Sequence, residues 1–110
     1  MTLYVVSREA GTAWIDGTSA FEQPTVDAHV TFMAELEQAG MILFAGPLNG
    51  TEQGRIRVLL VADATGEAEI RRALARDPWE RADRIVTDRI EPWTLLVGAA
   101  RLSAGLPSAG

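Results

Sequence analysis

The 110-residue chain contains no cysteine, no lysine and only one histidine. Without cysteine there can be no disulfide, thiolate metal site or cysteine nucleophile. A single histidine leaves few metal-binding arrangements, and the acidic residues Asp27, Glu35 and Glu37 do not cluster as a carboxylate site requires. The glycine spacing of a P-loop or dinucleotide motif is also missing. We therefore expect neither a metal nor a cofactor.

Long apolar runs are absent as well. No stretch approaches the roughly 20 apolar residues that span a bilayer, and the N-terminal "MTLYVVSREAG" lacks the apolar region of a secretory signal. The net charge of −5 would repel a phosphate backbone. These features predict a cytoplasmic protein that binds neither membrane nor nucleic acid, and the 47% hydrophobic content predicts one folded domain.

Hydrophobic and turn patterns predict elements in the order βαββαβ, which is typical of an α+β, ferredoxin-like fold with an antiparallel sheet and both helices on one face. We expect the domain to comprise residues 1–97 and to be followed by a flexible tail at 98–110, rich in small residues. The predicted strands lie at 2–7, 41–46, 55–63 and within 84–98, the helices between Pro24 and Gly40 and at 65–76, and a loop at 8–23.

This topology has a consequence for the placement of polar residues. The start of the first helix, the turn between the second and third strands, and the end of the second helix all meet at one end of the sheet. That end gathers His29, the Gly46-Pro47 pair and Asp77. Residues distant in sequence are therefore expected to lie close together.

The histidine lies in the apolar stripe of the first helix, with Val26, Val30 and Met33. Imidazole nitrogens removed from water need hydrogen-bond partners, and Asp77 is the best-placed partner. Two interpretations stay open at this point. The pair either ties the two helices together as a satisfied core contact, or it forms a functional site.

Three motifs resemble the YCII-related family: a histidine early in a helix, then "EQAGMILFAGPL", then "RDPW" ahead of a strand that ends "IEPW". The resemblance covers about residues 2–97. It implies a dimeric α/β barrel, in which two ferredoxin-like sheets pack face to face, and a His–Asp dyad in a pocket, carried here onto His29 and Asp77. Relatives in the superfamily include isomerases, dehydrochlorinase-type lyases and cofactor-independent oxygenases that act on small cyclic or aromatic compounds.

One departure from the family pattern concerns arginine. Many members carry an arginine two to four residues before the histidine, where this chain has Thr25, Val26 and Asp27. Arg8, at the end of the first strand, either replaces that arginine as a ligand-binding residue or is a solvated loop residue.

Other residues near this end of the sheet also have two interpretations. Gly46 and Pro47 either line the ligand site or only form a tight turn, and Trp14 either covers the pocket or is part of a loop without this role. Trp79 and Trp93 are interpreted as core or interface aromatics rather than substrate platforms.

The leading interpretation is a small homodimeric enzyme in which His29, oriented by Asp77, acts as general acid/base on a small organic molecule, as an isomerase or a dehydrochlorinase-like lyase. The alternative is a non-catalytic ligand-binding or partner-docking dimer with a structural His–Asp pair. Dimerisation is expected because two helices cover only one face of a sheet that carries apolar residues on both. In the third strand, Ile56, Val58 and Leu60 are assigned to one face and Leu59 and Val61 to the other. In the same way, Tyr4 and Val6 are opposite Leu3 and Val5, and Ile42 and Phe44 are opposite Leu43.

Overall fold

Four antiparallel strands and two principal helices build the computed structural model, which describes residues 2–104. The strands are β1 (Leu3–Ala10), β2 (Ile42–Pro47), β3 (Arg57–Asp63) and β4 (Ile85–Pro92), and the helices are α1 (Val26–Gln38), α2 (Glu67–Leu74), α3 (Pro78–Arg81) and α4 (Ala99–Ala104). Short 3₁₀ helices at Ala20–Glu22 and Thr51–Gln53 lie in the loops. The strand order is β2-β3-β1-β4, so the predicted ferredoxin-like fold is confirmed.

The principal core lies between the sheet and its two helices. Val6 of β1 and Leu60 of β3 pack there against Leu36 of α1 and Ile70 of α2. The helical period places the apolar residues of α2 on one side, and these are the residues that become buried. The helices therefore cover one face of the sheet, as the sequence predicted.

The end of α2 differs from the predicted helix at 65–76. The helix stops at Leu74, and Asp77 has an extended backbone with φ −60° and ψ 127°. Pro78 disfavours helical geometry in the residue before it. Asp77 then caps a new short helix, because its side chain accepts a hydrogen bond from the backbone N–H of Trp79. Proline thus creates the corner that holds Asp77.

The first strand is longer than the predicted strand at 2–7. Arg8 continues the pairing, opposite Val58 on β3 and Thr87 on β4, and the strand extends to Ala10. Arg8 is therefore a strand residue, and the loop that was predicted to begin with it starts three residues later.

Phe44 lies on the face opposite Ile42, whereas the sequence predicted that the two residues share a face. A register shift between Ile42 and Phe44 pairs them with Ala62 and Val61, which are successive residues on β3. Such a bulge reverses the alternation of side chains. Ile42 is consequently 5% exposed in the core, whereas Phe44 is 49% exposed on the face without helices.

After β4 the chain reaches the region predicted to be a flexible tail. Residues 99–104 form helix α4, and residues 105–110 lie outside the described part, so the flexibility of the tail stays a prediction. No helix between residues 2 and 104 has the length and apolarity needed to cross a membrane.

Candidate functional site

His29 and Asp77 are in direct contact at the predicted end of the sheet. The histidine lies in the first turns of α1, and its Nδ1 atom is 2.9 Å from Oδ1 and 2.8 Å from Oδ2 of Asp77. The Asp77 side chain is 0% exposed and the His29 side chain 15%. The structure therefore joins α1 to the corner between α2 and α3 through this pair.

Arg8 completes a buried charge cluster behind the histidine. Its Nη2 atom lies 3.0 Å from Oδ2 of Asp77 and 2.8 Å from Oε2 of Glu80. Glu80 also accepts a hydrogen bond of 3.0 Å from the hydroxyl of Thr87. Since the Arg8 side chain is only 1% exposed, the interpretation as a solvated loop arginine is wrong. Because β1 extends beyond Arg8, this arginine is a strand residue, and its side chain reaches Asp77 and Glu80 at α3.

The environment of Asp77 keeps it ionised. Burial is the largest influence and raises the pKa of this carboxyl, but the hydrogen bond from His29 and the charges of His29 and Arg8, helped by the Trp79 N–H, together lower it below its ordinary value. The carboxylate accepts a hydrogen bond from the Nδ1–H of the imidazole. In the neutral form of the ring the lone pair is then on Nε2, and this atom makes no hydrogen bond with a described residue.

Trp79 positions the imidazole from one side. Its indole lies parallel to the His29 ring, and its Nε1 donates a 2.9 Å hydrogen bond to the carbonyl oxygen of Pro24. Trp79 is 2% exposed, as expected for a core aromatic. Trp93 lies outside this region and is 44% exposed.

Trp14 does not cover the pocket. It is buried edge-on against Trp79, with ring centroids 5.6 Å apart, and its Nε1 donates to the carbonyl oxygen of Gly54. The loop after β1 folds into a second hydrophobic cluster, in which Trp14 packs with Ile56 and Ile85. Burial there removes the large indole of Trp14 from water. The proposed pocket role of Trp14 is therefore corrected to a core role.

A mostly apolar cavity of about 230 Å³ opens beside the imidazole. Four of the predicted site residues line it, namely Arg8, His29, Gly46 and Pro47. Trp79 is also part of the wall. Larger surface grooves of about 410 and 550 Å³ exist elsewhere, but neither contains His29 or Arg8. Typical small-molecule pockets measure about 300–1,000 Å³. This cavity is smaller than that range, which suits it to a ligand of about one ring.

Two acidic residues of the site were missed from the sequence. Glu52 lines the cavity. It lies in the loop between β2 and β3, which the topology places at the same end of the sheet as His29. Glu80 pairs with Arg8 and follows Asp77 by three residues, one helical turn away. Topology and helical spacing were the available signals.

Between residues 2 and 104 no group of three or more His, Asp or Glu side chains is arranged to hold a metal.

Comparisons with known proteins agree with this architecture. A model of the YCII-related domain matches residues 3–94. Among solved structures, the chain is similar to 5-chloro-2-hydroxyhydroquinone dehydrochlorinase from Burkholderia phenoliruptrix AC1100, in complex with 2,5-dihydroxybenzoquinone. The match has a TM-score of 0.59 and 19% sequence identity and covers 84% of this chain and 93% of that chain. Curated protein sequences give no match.

Proposed function

This chain belongs to the YCII-related domain family, and from that premise we propose that it is a small homodimeric enzyme that uses His29 as a general acid/base on a small organic molecule. The observation that carries the proposal is the contact between Nδ1 of His29 and the buried carboxylate of Asp77, which leaves Nε2 beside an apolar cavity without a partner among residues 2–104. The reaction class is elimination or isomerisation.

The proposed role of Asp77 is to orient the base. By accepting the Nδ1 proton it fixes the tautomer, and it stabilises the imidazolium that forms when Nε2 takes a proton from the substrate. In an elimination, the electron pair of the broken C–H bond forms the new double bond and the leaving group departs as an anion. In an isomerisation, the same imidazolium returns the proton to another carbon.

The proposed role of Arg8 is to stabilise negative charge that develops on the substrate. Its guanidinium is held by Asp77 and Glu80, so the charge is fixed in position before the substrate arrives. A preorganised charge in a site with little water is worth more than the same charge in solution. The mostly apolar walls of the cavity support this role because they offer water few hydrogen-bond partners.

The solved structure of the similar dehydrochlorinase supports the choice of substrate class. That protein is described with a quinone-type ring compound. A single ring also suits the cavity of about 230 Å³ in this chain. We therefore take a small ring compound with a leaving group or an acidic C–H bond as the proposed substrate.

A non-catalytic ligand-binding or docking dimer is the alternative. In that case we would expect a filled site and both imidazole nitrogens bonded to protein. The open cavity at His29 and the unbonded Nε2 favour the enzyme.

The proposed dimer uses the sheet face that carries no helix. Phe44 and Leu59 on that face are 49% and 44% exposed, and Val61 lies in register with Phe44. Large apolar patches are rare on monomers. Two copies related by a twofold axis would cover these residues with the same residues of the partner.

The test is turnover of a panel of chlorinated and hydroxylated single-ring compounds. We expect His29→Gln to keep the fold by circular dichroism and to abolish activity, and Asp77→Asn to lower kcat more than it changes KM. Asp27→Asn, an exposed carboxylate in the same helix, is the matched control and should leave the rate unchanged. Full activity in His29→Gln would overturn the proposal.

A further inference from the structure

We propose that Glu52 is a ligand-binding residue of the His29 cavity and that, together with Arg8, it selects an uncharged hydroxylated ring compound over a carboxylate. This inference rests on the proposed function for the location of the ligand. It does not require that the ligand is turned over.

Glu52 is held in place by its own loop. It lies in the 3₁₀ helix Thr51–Gln53, where the hydroxyl of Thr51 donates to the carbonyl oxygen of Leu48 at 2.7 Å. The backbone N–H of Arg57 donates to the same hydroxyl at 3.2 Å. These bonds tie the end of β2 to the start of β3, so Glu52 lines the cavity from an anchored segment.

The carboxylate of Glu52 contains an unused acceptor. Its Oε2 atom is buried and has neither a hydrogen-bond partner nor an ion-pair partner in the described part of the chain. A buried acceptor without a donor destabilises the protein. Because Glu52 lines the cavity, rotation of its carboxyl group would bring this acceptor to a ligand hydroxyl, which would provide the missing donor.

Arg8 contains unused donors in the same wall. Among residues 2–104, its Nε atom is buried without a hydrogen-bond partner, and its Nη1 atom contacts only the sulfur of Met33, at 3.8 Å. Only Nη2 is engaged by Asp77 and Glu80. Both residues line the cavity, so the proposed ligand is a ring that donates a hydroxyl group to Glu52 and accepts from Arg8 through a second oxygen.

The charge balance argues against a carboxylate ligand. Arg8 already faces two carboxylates, Asp77 and Glu80, and Glu52 adds a third in the wall. A ligand carboxylate would add a full negative charge to this excess of carboxylates and would be repelled, whereas the charge proposed to develop on the substrate near Arg8 is partial and transient. A hydroxylated ring carries no such charge and donates to Glu52 instead.

The experiment compares two probes of similar size, hydroquinone and benzoate, by isothermal titration calorimetry on the full chain. We expect hydroquinone to bind about tenfold or more tightly than benzoate, since a hydrogen bond to a charged group is worth about that factor. In Glu52→Gln hydroquinone should bind about tenfold more weakly and benzoate more tightly. Glu37→Gln, which changes an exposed glutamate of α1, is the control and should behave as the unmodified protein.

Each result is decisive because binding is measured without turnover. The inference is overturned if benzoate binds as well as hydroquinone, if neither probe binds, or if Glu52→Gln changes neither affinity. Circular dichroism checks the fold, and Glu52→Ala should show the same loss of hydroquinone affinity if Glu52→Gln does not fold. If the selectivity is as expected while His29→Gln retains turnover, the inference stands and the proposed catalytic function fails.

Discussion

The imidazole of His29 lies parallel to the indole of Trp79, with ring centroids 4.1 Å apart and 8° between the ring planes. Asp77 holds the same imidazole at its Nδ1 edge. The carboxylate therefore fixes the rotation of the ring in its plane, and the indole covers one of its faces. Together they leave the Nε2 edge without a hydrogen bond to the described residues, as the proposed role of general base requires.

Trp79→Phe should lower both stability and turnover. The substitution keeps an aromatic ring but removes the hydrogen bond from Nε1 to Pro24 and leaves a gap beside Trp14. We expect a loss of about 1–3 kcal/mol in the free energy of unfolding, measured with urea. Trp93→Phe, at a position that is 44% exposed, should change the free energy of unfolding little. Equal stabilities of the two variants would contradict a core role for Trp79.

Arg8→Met should be strongly destabilising because it leaves Glu80 and Asp77 without their shared cation. Breaking a buried ion pair in this way is expected to lose about 3–5 kcal/mol. The double variant Arg8→Met/Glu80→Gln should recover part of that loss, since it also removes one of the stranded charges. Chemical denaturation of the two single variants and the double variant gives the coupling energy. Strictly additive losses would show that the two residues do not act as a pair.

Acid should weaken the fold partly through Asp77. Its pKa is lower in the folded protein than in the unfolded chain, so its contribution to stability is complete above the ordinary aspartate value of about 3.9 and is lost as the pH falls below that value. We expect the difference in free energy of unfolding between the unmodified protein and Asp77→Asn to be largest at pH 5 and to shrink toward pH 2.5. Urea titrations across that range measure it, and a constant difference would be inconsistent with a lowered pKa.

The element order and the His29–Asp77 contact followed from the sequence because both depend on patterns that a single chain carries. The periodicity of apolar residues set the helices and strands, and the topology alone brought the two residues to one end of the sheet. Pro78 also correctly marked a break after α2, since its steric effect is local.

The residues that were misplaced depend on tertiary pairing. Phe44 changed face because a bulge in β2 is set by its register with β3, which alternation cannot reveal. Arg8 looked like a loop residue because only its buried partners Asp77 and Glu80 make a strand arginine favourable there. Trp14 was buried by contacts with a distant residue, Trp79. Each difference required a contact between elements far apart in sequence.

Gly11→Ala should destabilise the protein through a backbone collision. A Cβ atom at Gly11 would lie 2.2 Å from the carbonyl oxygen of Asp83, and the N–H of Gly11 donates to the carbonyl oxygen of Arg84 at 2.9 Å. The loop after β1 cannot move away without losing that bond, so we expect a loss of about 1–3 kcal/mol. Gly46→Ala, where a Cβ meets open space, is the control and should not lower the unfolding midpoint in urea.

Dimerisation is predicted through the sheet face that carries Phe44 and Leu59. We expect sedimentation velocity at micromolar concentration to give the mass of two chains. Leu59→Lys places a charge in the middle of that face, where the residue is 44% exposed in one chain, and burying an unpaired ammonium group against a second sheet is strongly unfavourable. The variant should therefore sediment as a folded monomer.

Leu96→Lys is the matched control for this last prediction. Leu96 is 89% exposed and follows β4 rather than lying within the sheet, so the same change of an apolar residue to a charged one should leave the dimer intact there. Circular dichroism of both variants separates dissociation from unfolding. A monomeric mass for the unmodified chain would exclude the dimer outright, and dissociation of Leu96→Lys without dissociation of Leu59→Lys would move the interface from the sheet to the segment after β4.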